Sequence, residues 1–208
     1  MLKLAKTIGV ALVAGGFAAS SAFADVLLAP GSEWEYTFSD PTADASWNTT
    51  TGGGWAVGDA PFGNYLNSID GHFDYNTFWA ADGTRGDFDL WVRKEIDLTN
   101  ADLSTVLWDL GVDNAFMLYA NGSLVGQGDA GGFTSRWEYS GNFGASLTSG
   151  INVIAVALDD YGGLTAFDMQ VTGDLKPVQP PTGVSEPAPL ALIGLGLLAL
   201  GLRRRNNR

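Results

Sequence analysis

Residues 88–98 read FDLWVRKEIDL, and this stretch decides the fold class. The even positions are apolar except for Lys94, whereas the odd positions are charged except for Trp91. Alternation with a period of two is typical of an antiparallel strand that has one face in the core and one in water. The stretch therefore predicts a half-buried strand with Trp91 on its charged face, where either a loop covers the indole or it is exposed.

The segments around this strand carry the same kind of pattern. Alternating apolar positions occur at 34–38, 106–112 and 167–171, and 151–158 is almost wholly apolar, as expected for a central strand buried on both faces. Asn121-Gly122 separates two further apolar runs and predicts a hairpin, because a type I′ turn needs positive φ at both central residues. No long helical period occurs between the two ends of the chain, so we expect an all-β protein, an antiparallel jelly-roll β-sandwich over residues 25–175.

The first 24 residues are typical of a secretory signal peptide. Lys3 and Lys6 precede a short apolar run over 8–19, and Ala22-Phe23-Ala24 has the small-x-small form cut by signal peptidase. The run is short for a membrane span of ~20 residues, which favours cleavage before Asp25 over an uncleaved anchor.

The last 33 residues differ in composition from the middle of the chain. Residues 176–187 are rich in proline, which lacks an amide hydrogen, and so they predict a stiff linker. Residues 188–202 are almost wholly apolar or glycine and predict a helix of ~22 Å, short against a hydrocarbon core of ~30 Å. The next residues, Arg203, Arg204 and Arg205, would stay on the cytoplasmic side of the inner membrane.

Residues 184–208 resemble the PEP-CTERM sorting signal, with Ser185, Glu186 and Pro187 at the motif, a glycine-leucine helix and a basic cluster. Ser185 stands where that family usually has its first proline. The resemblance implies recognition and processing by an exosortase in a Gram-negative bacterium that makes exopolysaccharide. It also implies export to the cell surface or extracellular matrix. Composition alone equally permits a permanent single-span anchor.

The charge distribution excludes several classes of function. Residues 25–185 contain five basic and 22 acidic side chains, a formal charge of −17, which would repel a nucleic acid. The chain has no cysteine and one histidine, His72, which excludes thiolate and multi-histidine metal sites. The excess of carboxylates indicates either a soluble exported surface or calcium binding.

The order of segments in the middle of the chain resembles the galactose-binding-domain-like jelly rolls. Four stretches carry the likeness, namely 58–63, 90–96, 113–122 and 147–156. The resemblance implies a fold in which sugar binding is common, and a structural calcium between the first and last strands. Glu33, Glu35 and Asp168 are the residues that could supply its oxygen ligands.

Carbohydrate recognition uses aromatic faces aided by polar side chains. The candidate glycan platform consists of Trp47, Trp55, Tyr65, Trp79 and Trp91. Tryptophan in a sandwich more often belongs to the core, which is the alternative interpretation. No nucleophile, phosphate or dinucleotide motif accompanies the acidic residues or His72, so we expect no enzyme. The sequence predicts a non-catalytic surface protein that binds glycan, with a purely structural surface protein as the alternative and a glycan-active enzyme third.

Overall fold

The computed structural model describes residues 24–65, 74–80, 83–129 and 136–177. This part of the chain forms twelve strands and one short 3₁₀ helix, Gly144–Ser146. The strands are β1 Asp25–Leu28, β2 Glu33–Thr37, β3 Ala56–Asp59, β4 Phe62–Gly63, β5 Thr77–Phe78, β6 Leu90–Asp97, β7 Leu107–Asp113, β8 Ala115–Ala120, β9 Ser123–Asp129, β10 Tyr139–Asn142, β11 Ile151–Asp159 and β12 Ala166–Gly173.

The described residues contain no helix long and apolar enough to cross a membrane. The helices expected in the signal segment and over 188–202 lie outside these residues. The chain divides into two units, Met1–Asp174 and Leu175–Arg208, and only 175–177 of the second unit are described.

The strands form two sheets, which are antiparallel except for the pairing of β4 with β5. The first sheet has the order β10-β7-β12-β4-β5, and β1 also pairs with β12. The second sheet has the order β3-β2-β6-β11-β8-β9. The predicted all-β class is confirmed, and the two sheets are consistent with a β-sandwich.

The predicted central strand and hairpin are confirmed. β11 lies between β6 and β8, and every residue from Asn152 to Asp159 is buried. Asn121 and Gly122 join β8 to β9 with φ of +49° and +81°, as a type I′ turn requires.

Apolar side chains of both sheets share one large cluster, the main core. Trp34 of β2 meets Phe167 of β12 edge to face, with ring centroids 5.7 Å apart. The alternating positions of β7 predicted from the sequence are buried there, and Phe167, Met169 and Val171 of β12 join them. The alternation predicted over 34–38 holds only in part: Trp34 is buried, but Phe38 lies beyond the end of β2 and is 50% exposed.

The charged face predicted for β6 is not wholly in water. Trp91 and Arg93 are 4% and 3% exposed, because the loop between β2 and β3 covers this part of the second sheet. Trp47 from that loop packs with Trp91, Ala155 and Ala157 in a second cluster, which we call the outer cluster. The small alanines of β11 leave room for the two indoles, and only the far end of the β6 face, at Glu95 and Asp97, stays exposed.

Arg93 holds the covering loop in place. Its Nε donates to Glu35 Oε2 at 2.8 Å, from the position directly opposite on β2. Its guanidinium also donates to the carbonyl oxygens of Trp47 and Gly52 and lies 3.9 Å from the centre of the Trp55 ring. Gly52 adopts φ of +88°, and its N–H donates to the Glu35 carboxylate at 2.7 and 2.8 Å. One buried charge therefore joins β2, β6 and the loop.

Replacing Arg93 with methionine is expected to lower the free energy of unfolding by roughly 3 kcal/mol, because Glu35 would lose its partner and the loop its anchor. Trp47 and Trp91 would become accessible to water, which should shift the tryptophan emission to longer wavelength. Urea titration followed by fluorescence measures both effects.

Arg85→Met is the matched control. Arg85 and Asp129 form an ion pair of 2.7 Å whose side chains are 66% and 39% exposed. An exposed pair contributes about 1 kcal/mol or less. Equal losses in the two variants would contradict the anchoring role of Arg93.

Candidate functional site

A cleft lined by aromatic and acidic side chains opens beside the outer cluster. Its first cavity has a volume of about 470 Å³ and is lined by Phe38, Asp40, Phe78, Ala80, Asp87, Phe88, Asp89 and Trp91. An adjoining cavity of about 310 Å³ shares four of these residues and adds Thr42, Trp47, Gly86, Met117, Tyr119 and Ala157. We call the two together the aromatic cleft. Its size falls in the ordinary range for small-molecule sites.

Strand ends place the aromatic rings of the cleft. Phe38 directly follows β2, Phe78 ends β5, and Phe88 lies two residues before the start of β6. Phe38 and Phe78 are 50% and 57% exposed, whereas Trp91 is buried in the wall. Two large rings thus remain partly in water on one cavity, with Phe38 packed edge to face on Tyr36 and Phe78 on Tyr75.

Local turns fix the acidic loop at one side of the cleft. The carboxylate of Asp40 accepts the N–H of Thr42 at 2.8 Å, and Asp44 accepts both the N–H and the hydroxyl of Ser46. Such turns are the usual conformation of aspartate followed two residues later by a donor. The hydrogen bonds from Thr42 lower the pKa of Asp40 below its ordinary value, so its carboxylate is ionised at neutral pH.

The cleft is negatively charged. Asp40, Asp87 and Asp89 line it, and no lysine or arginine is among its described lining residues. Asp89 lies deeper than the other two, and its Oδ1 accepts the indole N–H of Trp79 at 3.1 Å. The arrangement offers hydrogen-bond acceptors and negative charge beside apolar ring faces.

The five predicted platform residues have different positions. Trp47 and Trp91 line the cleft, but both are largely buried in the outer cluster. Trp79 is fully buried in the main core, so in this conformation it cannot present a face to a sugar. Trp55 is half-buried against the Arg93 guanidinium and Tyr65 is half-buried, and neither is among the residues that line the cleft.

Sequence reasoning missed Phe38, Phe78 and Phe88 as site residues, and it also missed the aspartates that line the same cleft. The available signal was the position of each phenylalanine at the end of a predicted or possible strand, next to a loop that contains aspartate. That signal is weak, because three strand ends remote in sequence meet only in the folded sheet.

The three predicted calcium ligands do not come together. Glu33 and Glu35 belong to β2 of the second sheet, and Glu35 is bonded to Arg93 and Gly52. Asp168 lies in β12 of the first sheet, where its carboxylate accepts Arg136 Nη2 at 2.6 Å and the N–H of Gly31. Burial raises the pKa of Asp168, against these hydrogen bonds. Among the described residues no cluster of three or more acidic or histidine side chains is arranged to hold a metal ion, and calcium binding stays a prediction.

The sorting residues lie outside the described part of the chain. These are Ser185, Glu186 and Pro187 of the motif and Arg203, Arg204 and Arg205 of the basic cluster. Residues 1–23 and His72 lie outside it as well.

No protein-family profile and no curated protein matches the chain. Among solved structures it is similar to a β-glucuronidase of Bifidobacterium dentium complexed with coumarin-3-O-glucuronide, at 15% identity and a TM-score of 0.43 over 67% of this chain and 21% of that one. It is also similar to a Ruminococcus gnavus β-glucuronidase in complex with uronic isofagomine, at 11% identity and a TM-score of 0.48 over 76% of this chain and 30% of that one. The chain thus spans less than a third of the length of these proteins.

Four aspartates gather at one end of the two sheets. Asp89, Asp113, Asp159 and Asp160 are all buried, and each lies at or beside a strand end. Asp160 Oδ1 accepts the N–H of Gly162, whereas its Oδ2 has no hydrogen-bond partner within the described residues. Burial, and then the neighbouring carboxylates, raise the pKa of Asp160 to about 7.

The raised pKa of Asp160 predicts a pH-dependent stability. The folded state binds this proton more tightly than the unfolded chain, whose ordinary pKa is 3.8. The contribution of Asp160 is therefore complete below pH 3.8 and is lost as the pH rises through about 7. Asp160→Asn, which stays neutral, should match the parent at pH 4 and exceed its free energy of unfolding by roughly 2–4 kcal/mol at pH 8.

Urea unfolding at intervals from pH 4 to 8 measures this difference. Asp174→Asn is the control, because Asp174 is exposed and its removal changes net charge by the same amount. If Asp160→Asn and Asp174→Asn have parallel pH profiles, Asp160 does not carry the proton.

Proposed function

We propose that this chain is an exported, non-catalytic surface protein whose galactose-binding-like jelly roll binds carbohydrate in the aromatic cleft. The observation that carries the proposal is the exposure of Phe38 and Phe78 beside the acceptors Asp40 and Asp87. Sugar rings present apolar C–H faces to aromatic rings and hydroxyl donors to carboxylates. The two adjoining cavities have room for consecutive rings of a polysaccharide, such as the exopolysaccharide of its host.

The ionised state of Asp40 supports binding over catalysis. A glycosidase needs one carboxyl group with a raised pKa to donate a proton to the leaving oxygen. The N–H of Thr42 instead holds the pKa of Asp40 down, which suits a fixed acceptor. Asp160, whose pKa is raised to about 7, is not among the residues that line the cleft.

We further propose that signal peptidase and an exosortase process the two ends and deliver the domain to the cell surface or extracellular matrix. Two observations are compatible with this processing. β1 begins at Asp25, so cleavage after Ala24 would remove no residue of a sheet. The compact unit ends at Asp174, before the predicted linker and sorting motif.

One observation favours the alternative of a purely structural surface protein. Five of the seven tryptophans are buried: Trp34, Trp47, Trp79, Trp91 and Trp108. Buried indoles stabilise the sandwich and present no ring face to a ligand. The two functions differ in whether the cleft retains any glycan.

Phe78→Ala and Phe38→Ala are expected to weaken glycan binding by about tenfold each, because a stacked ring contributes on the order of 1 kcal/mol or more. Affinity electrophoresis of the exported protein in gels that contain a panel of bacterial polysaccharides measures the retention.

Leu124→Ala is the control for general surface effects, since Leu124 is 47% exposed on β9 and lies outside the cleft. Retention that survives both phenylalanine substitutions would place the glycan elsewhere. No retention of the parent protein on any polysaccharide would favour the structural alternative.

The sorting proposal predicts a mature protein that begins at Asp25 and lacks 203–208. Mass spectrometry of the protein recovered from its host measures both ends. Glu186→Ala should leave the C-terminal segment attached, whereas Pro177→Ala, in the linker but outside the motif, should be processed normally. Retention of the arginine cluster in the parent protein would contradict exosortase processing and support a permanent anchor.

A further inference from the structure

We infer that the aromatic cleft takes a cationic amino sugar, a pyranose with a free protonated amine, within a polysaccharide chain. This inference rests on the proposed carbohydrate binding and names its substrate class. It starts from the charge of the cleft, since Asp40, Asp87 and Asp89 line one cavity without a basic side chain among its described lining residues.

The other charges of the domain argue against an acidic sugar. A uronate would need a cation to pair with, and none of the five basic side chains of the described residues lines the cleft. Arg85 pairs with Asp129, Arg93 with Glu35 and Arg136 with Asp168. A uronate in the cleft would instead meet carboxylates, and like charges at short range repel.

A neutral sugar would form no ion pair with the carboxylates of the cleft. Each ionised carboxylate at the mouth raises the local concentration of cations, and residues 25–185 carry a formal charge of −17 that extends the same field. An ammonium group beside Asp40 and Asp87 would reduce the repulsion between these two carboxylates and form charge-assisted hydrogen bonds with them.

The aromatic rings favour a sugar over a simple cation or a basic peptide. Phe38 and Phe78 are half-exposed on the same cavity as the carboxylates, and Trp91 of the outer cluster also lines that cavity. A pyranose with an equatorial amine presents an apolar face and a positive edge together. An aromatic face also attracts a nearby cation directly.

The experiment compares three hexasaccharides and one peptide on the exported protein by isothermal titration calorimetry at pH 5.5. The probes are fully deacetylated glucosamine hexamer, its N-acetylated counterpart, galacturonic acid hexamer and hexalysine. We expect the glucosamine hexamer to bind at least tenfold more tightly than the other three. Its affinity should fall with added salt, because the contact depends on charge.

Two substitutions divide the charge contribution from the ring contribution. Asp40→Asn should weaken binding of the glucosamine hexamer by about fivefold or more and weaken the N-acetylated hexamer less, because only the former loses a charge-assisted hydrogen bond. Phe78→Ala should weaken both hexamers, whereas Asp174→Asn, an exposed charge outside the cleft, should change neither beyond about twofold.

The outcomes separate the two levels of the proposal. Equal or tighter binding of the N-acetylated or galacturonic acid hexamer overturns the amino-sugar inference and leaves carbohydrate binding in place. Hexalysine binding as tightly as the glucosamine hexamer overturns it in favour of a basic peptide. If no saccharide binds, on this set or on the polysaccharide panel, carbohydrate binding itself is wrong.

Discussion

The structure depends on one strand that is buried on both faces. β11 pairs with β6 on one side and β8 on the other, and its residues from 152 to 159 are all buried. A strand of this kind needs two covers, because each apolar face left in water costs free energy. The first sheet covers one face and forms the main core. The loop between β2 and β3 covers the other and forms the outer cluster around Trp47.

The second cover is a loop, and a loop has no sheet hydrogen bonds to hold it. The Arg93 side chain holds the loop instead, through hydrogen bonds to Glu35 and to two carbonyl oxygens of the loop. The rim of that loop carries Asp40, and its edge against the start of β6 is the aromatic cleft. Trp91 belongs both to the outer cluster, where it packs with Trp47, and to the lining of the cleft.

Several strands could be predicted from the sequence because period and turn chemistry are local properties. The β8–β9 hairpin follows from Asn121-Gly122, and the central position of β11 follows from an apolar run too continuous for a half-wet strand. The prediction of a solvent-exposed face on β6 was wrong at Arg93, because a charged residue is expected to be exposed unless its ion-pair partner is known. That partner, Glu35, is 58 residues away in the chain. The burial of Trp79 could not be predicted for a similar reason, because a loop indole can reach either the surface or the core.

The sequence by itself determined the all-β class, the main strands and the acidic character of the domain, because alternation, turn residues and net charge need no knowledge of distant neighbours. It also provides the predictions for both ends of the chain, which lie outside the described residues. Tertiary structure alone decided which tryptophans are buried, which carboxylates are paired and where a ligand could bind. Phe38, Phe78 and Phe88 are separated by up to 50 residues and share a cavity only once β2, β5 and β6 have paired with their neighbours in the sheets. Pairing of strands is a property of the whole fold, and so is the site formed at their ends.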